Sequence, residues 1–550
     1  MINNIDPNQI KDLEGARKAI VMLLNLVEEV KGENEALRAE VQKLRDELNR
    51  LKGEQGKPNV KASKQPPKDN DHSSEKDRKK PEGWKKKSKV DKIKIDRTEK
   101  LKIEPEQLPA DAEFKGYKAV VVQDIVIKTD NVRFMKAKYY SASEKKTYLA
   151  PLPAGYEGEF GPGVRSLIIT QYYACGMTEP KIVEFLSYFN IIISAGQVSN
   201  ILTKKNEHWH SEKDEMYKAG LESSSWQHID DTATRVNGQN QHCQIVCNPL
   251  YTAYFTRPRK DRLTIIEVLQ NIPSNMFILN EKTSNWLESF TVPKWVQQKM
   301  EQWPHQILLN YEQFEQLVNR DLSRLGQQKR SRVFEAAALS AYHTQTDMPI
   351  ISLLLSDDAP QFQSITEYQA LCWVHEGRHF KKLNPFLDYH RQLLLAFDTE
   401  FWLFYHKLQH YRANPSVKQI ALLNTAFDTL FSTVTGYNDL DQRIAKTKAK
   451  KQELLMVLSH PHIPLHNNPA ELGARQRVRK RDISFGPRTP DGAASWDTFM
   501  SLAATAKKLG VSFFAYIYDR VSGSYALPSL AETISLHSPA SHPVISQPPS

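Results

Sequence analysis

Cysteine is scarce in this chain: four in 550 residues, Cys175, Cys243, Cys247 and Cys372. So few cannot staple a disulfide framework, and a reducing, cytoplasmic compartment is expected. Long apolar runs are missing too. No stretch of about 18 uncharged apolar residues occurs, which excludes a helical membrane span. The opening MINNIDPNQIKDLEG lacks the basic-then-apolar layout of a secretory signal, so no export is expected. With 40% hydrophobic and 25% charged residues the composition is that of a globular protein, and the length suggests three or four units.

Charge is uneven. The net charge is +10, and between Lys76 and Lys94 ten basic residues face three acidic ones. That segment has no apolar periodicity, and residues 53–95 read as a basic, disordered linker. Its densest part, Lys85, Lys86, Lys87 and Lys89, becomes a candidate phosphate-binding arm if the rest of the chain handles nucleic acid.

The clearest element precedes the linker. Ile20, Val27, Asn34, Val41 and Leu48 alternate with Leu23, Val30, Leu37, Leu44 and Leu51 at spacings of three and four. This is a heptad seam over residues 18–52, and its β-branched a positions with one Asn favour a parallel homodimer. Glu33, Glu40 and Glu47 at g stand opposite Arg38, Arg45 and Lys52 at e, which agrees. A single amphipathic helix packed on the body is the simpler alternative.

Residues 96–160 alternate polar and apolar residues and read as a small β-rich module. Residues 161–219 turn helical. A turn at Ser194–Ala195–Gly196 gives a helix-turn-helix-like DNA-binding segment, with Gln197, Asn200 and Lys204 on its second helix. From 220 to 520 strand-like runs (WQHIDDTATRV, HCQIVC, YTAYFT, IISLLLS, ALCWVH) mix with helical stretches, two of which, 280–345 and 384–459, look like insertions. HNNPAELG begins a helix that the Asn pair caps. The Ser/Pro-rich tail, 528–550, reads as disordered. The expected class is therefore multidomain α+β.

Acidic residues at three places suggest chemistry. Asp230–Asp231 follow the first strand, Asp357–Asp358 end an apolar strand, and Glu471 lies in the first turn of a helix. Phosphodiester cleavage uses two divalent ions about 3.5–4 Å apart, and Mg²⁺ prefers carboxylate oxygen. Three carboxylates from strand ends and a helix start can supply such a pair.

The same segments carry a resemblance. WQHIDDT (226–232), SDDA (356–359) with LCWVHEGRHF (371–380), and LLMVLSHPHIPLHNNPAELGARQRVRKRDISFG (454–486) resemble the insertion sequence 66 family of DDE transposases. The helical stretch at 161–202 is similar as well. The resemblance implies an RNase H-like core over 220–520, with Asp230, Asp357 and Glu471 as the metal-binding triad for two Mg²⁺ or Mn²⁺ ions. Asp231 and Asp358 are the fallback ligands. Arg378, Arg475, Arg479 and Lys480 would contact DNA. It further implies strand cleavage at transposon ends, strand transfer into target DNA, association with the bacterial nucleoid, and accessory proteins of the element as further partners. A domesticated, DNA-binding relative that no longer moves DNA is the alternative. Many members carry a cysteine-rich zinc element before the core, whereas residues 96–160 hold no cysteine.

A competing motif overlaps this block. His375-Glu376-Gly377-Arg378-His379 matches H-E-x-x-H, in which two histidines bind zinc and the glutamate serves as base, with Glu400 as a conceivable third ligand. Gly377 weakens the helix that motif needs. His406 and His410 also have helical ligand spacing, but Lys407 replaces the glutamate. Cys243 and Cys247 have no second pair and read as strand core residues.

Overall fold

The computed structural model describes residues 10, 12–51, 93–104, 107–109, 112–156 and 158–538. Lys85, Lys86, Lys87 and Lys89, most of the linker, and residues 539–550 lie outside them.

The heptad segment is one helix, α1 (Leu13–Leu51). Its seam is bare: Leu23 is 47% exposed and Leu37 59%. A different face docks on the body. Asn25 donates to the carbonyl of Gly436 at 2.8 Å and accepts from the Asn438 amide at 3.0 Å. Glu28 is buried, accepts the amides of Phe386 and Leu387, and pairs with His390. The docking face thus uses f and b positions and leaves a and d free.

The expected β-rich module shrinks to one hairpin, β1 (Lys138–Ser141) with β2 (Lys146–Leu149). The alternating run at 118–130 forms no strand, and Val120, Val122, Ile125 and Val126 stay exposed. Alternation makes a strand only where a partner and a core receive its apolar face, and this segment meets neither.

Four helices follow: α2 (Pro162–Ile169), which runs into a π-helical turn at Thr170–Ala174, α3 (Glu179–Ser187), α4 (Ala195–Thr203) and α5 (Glu207–Glu222). Ser194, Ala195 and Gly196 are not the turn. Ser194 caps α4, its Oγ accepting from the Gln197 amide at 3.2 Å, so the connection lies before it.

A five-stranded mixed sheet forms the centre. β3 (Trp226–Val236), β4 (Gln239–Cys247) and β5 (Thr252–Arg257) make an antiparallel meander, while β6 (Leu353–Ser356) and β7 (Tyr368–Leu371) run parallel to β3. The order is β5-β4-β3-β6-β7. A parallel return needs a crossover, and α6 (Arg262–Gln270), α7 (Glu281–Ser289), α8 (Lys294–Met300), α9 (Tyr311–Asp321) and α10 (Gln327–Tyr342) fill it. The unbroken apolar run of β6 reflects burial on both faces: Leu354 packs into one core, Leu353 and Leu355 into another.

The run ALCWVH is strand only as far as Leu371. Cys372 then caps α11 (Trp373–Lys382), its sulfur accepting from the His375 amide. Next come α12 (Asp388–Ala413), α13 (Val417–Leu430), α14 (Asn438–Lys448) and α15 (Lys451–Leu454); aromatic side chains of α12 and α13, with Leu440, Ile444 and Leu454 from the two that follow, build the second core around Trp373. α16 (Asn468–Ser484) crosses β3 and β4, and α17 (Pro490–Lys508) packs on β5. α18 (Phe513–Val521) and α19 (Leu530–His537) close the described chain. Helix α19 corrects the expectation of a disordered tail from 528. Ser529 and Glu532 form a reciprocal capping box, and Leu530 and Ile534 are fully buried.

Candidate active site

The register of the parallel strands brings two acids level. Trp226 pairs with Leu353, Gln227 with Leu354 and His228 with Leu355. Continuing that register by two residues sets Asp357, just past the end of β6, beside Asp230 on β3. Both then share the sheet face of His228 and Leu355, since strand side chains alternate.

Helix α16 delivers the third acid to that face. Gly473 permits its close approach: a Cβ there would lie 2.9 Å from Ile245, the residue paired with Asp230 across β3 and β4. Asn467 fixes where the helix begins. Its Oδ1 accepts from His228 Nδ1 at 2.9 Å, its Nδ2 donates to the Ile229 carbonyl at 2.7 Å, and its amide reaches the Cys372 sulfur. Because Oδ1 can only accept, Nδ1 of His228 carries the hydrogen. Burial keeps that imidazole neutral, with its pKa down to about 3. Asn467 therefore does not cap its helix as expected; its side chain ties α16 to β3 instead.

The electrostatics agree with convergence. Asp230 is pushed up to about 7 by burial, with the charges of Asp357, Glu471 and Asp231 adding to it. Burial also raises Asp357, as do the charges of Asp358 and Asp231, while the Ala359 amide at 3.0 Å and His375 offset part of this. Glu471 receives a bidentate fork from Arg378, at 2.9 and 2.7 Å. Arg378, expected on DNA, thus faces the acid cluster.

The two fallback acids are otherwise engaged. Asp231 faces His242 at 3.9 Å and Lys260 at 3.6 Å. Asp358 is held far below the usual carboxylate range by His375, His379 and Lys450. In the H-E-x-x-H motif, Glu376 is buried and bonded to Arg443, to Thr447 at 2.6 Å and to Lys450 at 3.1 Å. Although burial raises its pKa, those partners hold it below normal. A carboxylate so clamped is not a free base for water. Gly377 is explained by packing, because a Cβ there would strike Trp402 at 2.6 Å. Glu400 lies elsewhere, lining a groove between α12 and α13.

The basic candidates divide. Lys480 is buried, donates to the carbonyl of Tyr172 at 2.7 Å, sits over the Tyr172 ring and has its pKa lowered to about 7 by burial. It anchors the π-helical turn and cannot reach DNA. Lys204 pairs with Asp491 at 2.8 Å. Asn200 is exposed and Gln197 half-buried on α4. Arg475 and Arg479 are exposed on α16, and with Glu471 they fall at spacings of four along one helix face. Cys243 and Cys247 are buried in β4, as strand core residues should be.

Sequence reasoning missed Arg443, Lys450 and the bracing roles of His228 and Asn467. The HNNP cluster before α16 was the available signal for the last.

The profile described as "Transposase IS66 family" matches residues 352–495, which span Asp357, α11 and Glu471. A relative from Sinorhizobium fredii (strain NBRC 101917 / NGR234), "Uncharacterized protein y4jO", is 31% identical over 307 residues, 56% of this chain and 94% of that protein. No solved structure matches. No helix among the described residues is long and apolar enough to cross a membrane. On these matches, over the segment that carries two of the three converging acids, the chain belongs to the IS66 family of transposases.

Proposed function

We propose that this protein is an active DDE transposase, cutting DNA at the ends of a mobile element and joining them to target DNA, with Asp230, Asp357 and Glu471 as its metal-binding triad. The observation that carries this reading is geometric: the parallel register sets Asp230 and Asp357 level on neighbouring strands, and Asn467 ties the start of α16, with Glu471 in its first turn, to the same strand. The strand order, with a meander on one side of β3 and two parallel strands on the other, suits an RNase H-like core.

The donor set fits a hard divalent cation. Three carboxylates come from two neighbouring strands and the start of the helix that crosses them, and the cost that burial and the neighbouring acids place on ionised Asp230 is one that a bound cation would relieve. Mg²⁺ or Mn²⁺ ions held by these three groups would supply activation of the attacking oxygen and stabilisation of the leaving one. The chain's own residues set up that chemistry. Asn467 and neutral His228 fix α16 against β3, so Glu471 faces the strand acids. Arg378 orients Glu471, whose oxygens each keep a second lone pair. Arg475 and Arg479 continue along that face to receive phosphate, and Gln197 and Asn200 on α4, together with the lysines at 85–89, extend the DNA contact.

The bare seam of α1 supports a parallel homodimer, because its docking face is already used by the body while Leu23, Val27, Val30 and Leu37 remain open. Leu37→Asp should then abolish self-association in sedimentation experiments without unfolding the core; an unchanged assembly state removes the dimer from the reading.

The catalytic test uses DNA carrying the element ends. Asp230→Asn and Glu471→Gln should bind it with wild-type affinity and lose cleavage by roughly 1,000-fold or more, with the double variant no worse than either single, because such groups act as a unit. Wild-type protein that binds but never cleaves would point to a domesticated DNA-binding protein.

A further inference from the structure

Beside the triad stands a second cluster of different chemistry. His375 and His379 lie one turn apart on α11, and Asp358 follows β6. One oxygen of Asp358, Oδ1, is 3.4 Å from Nε2 of His375 and 3.6 Å from Nε2 of His379. The three ligand atoms lie within 4.8 Å of one another. The other oxygen of Asp358 is held by Lys450. Lys450 also holds Glu376, and Arg443 fixes that carboxylate in turn.

We propose that Asp358, His375 and His379 form a binding site for a first-row transition ion such as Zn²⁺, distinct from the Mg²⁺ site of the triad. Hydrogen bonds between nitrogen and carboxylate oxygen run about 2.7–3.2 Å, so both separations are long for that role. Ligands about 2.0–2.1 Å from a tetrahedral ion stand roughly 3.3–3.4 Å apart, close to the two separations observed. Moreover, one oxygen facing two imidazole nitrogens is the arrangement that three protein ligands around an open fourth position require. Imidazole selects Zn²⁺, Co²⁺ and Ni²⁺ over Mg²⁺. Glu376, the residue that would be the base of a protease, is locked by Arg443, Thr447 and Lys450. The site therefore binds an ion without hydrolysing a peptide. It pins α11 to the end of β6, one residue from Asp357.

The test is Co²⁺ titration of the full-length protein in excess Mg²⁺, read by visible absorption and equilibrium dialysis. One equivalent should bind with a tetrahedral-type spectrum, and equimolar Zn²⁺ should displace it. The signal should vanish in His379→Gln and in His375→Gln, each checked for folding by circular dichroism, so one folded variant suffices. It should persist in Asp230→Asn, which separates this site from the triad and keeps the result independent of the transposase reading. A wild-type protein that holds no Co²⁺ in excess Mg²⁺ overturns the proposal, as does a spectrum that survives in both histidine variants.

Discussion

Asp357 and Asp358 are neighbours in the chain and opposites in surroundings. Asp357 is raised by burial and by neighbouring acids, with one amide and the charge of His375 opposing. Asp358 is held low by two histidines and a lysine. The same contrast extends to Glu376, clamped by two cations and a hydroxyl, against Asp230, whose neighbours Asp357 and Glu471 are acids. A carboxylate with a fixed cation on each oxygen, as Glu376 has in Arg443 and Lys450, is structural; one kept beside other carboxylates, as Asp230 is, is waiting for an ion. Residue type alone does not separate them. What separates them is the helical stretch between β7 and α16, which brings Arg443 on α14 and Lys450 beside α15 to one group and not to the other.

The largest effect expected from breaking this contrast is on folding. Removing the charge of buried Glu376 strands Arg443 and leaves Lys450 only Asp358, and losing one partner of a buried ion pair costs about 3–5 kcal/mol. Glu376→Gln should therefore lower the thermal unfolding temperature strongly, whereas Asp231→Asn, whose cationic partners stand no closer than 3.6 Å, should move it much less. An unaffected Glu376→Gln would mean the clamp is not structural.

Metal removal should act on the other group. Ion binding to the folded state stabilises it by about 2.7 kcal/mol at a hundredfold excess over the dissociation constant. Withdrawing Mg²⁺ alone, by dialysis that leaves tightly held Zn²⁺ in place, should lower the unfolding temperature of wild-type protein, and Asp230→Asn should show much less of this response. Equal responses in the two proteins would place the stabilising ion elsewhere.

Lys480 sharpens the contrast from the cationic side, since it is a buried cation with carbonyl partners. Its folded pKa of about 7 lies below the unfolded value of about 10.4. The unfolded chain thus binds more protons between those values, and stability from this group rises as pH goes from 7 to 10. Denaturant unfolding across that range should show the slope, and Lys480→Met should flatten it. A slope unchanged by the substitution would contradict the buried charge.

The smallest effect is expected at Lys204. Its pair with Asp491 is exposed on both sides, where solvent and salt screen the attraction. Asp491→Ala should leave the unfolding temperature nearly unchanged and tighten DNA binding modestly by freeing the lysine. A weaker complex would instead give Asp491 a positioning role.

Much of this was legible in the sequence. The heptads of α1, the apolar β6 with Asp357 just past its end, and Glu471 in the first turn of α16 follow from periodicity and helix-start signals that act locally. The failures share a cause as well. Val120 and Val122 alternate like a strand but have no partner, Lys480 is written like a surface cation but is buried, and Arg378 points at Glu471. Each outcome depends on what faces the residue across a long sequence separation. The helix α19 is a different case: its Ser529–Glu532 capping box is a local signal that the Ser/Pro-rich composition around it obscured.

The most direct test of the central claim sets Asp357→Asn against Asp358→Asn in Mg²⁺-dependent cleavage of DNA carrying the element ends, each normalised to folded protein. Asp357→Asn should fall to background while Asp358→Asn keeps activity within about tenfold of wild type, a loss of no more than about 1.4 kcal/mol of transition-state stabilisation. Loss of cleavage in Asp358→Asn with survival in Asp357→Asn would contradict it.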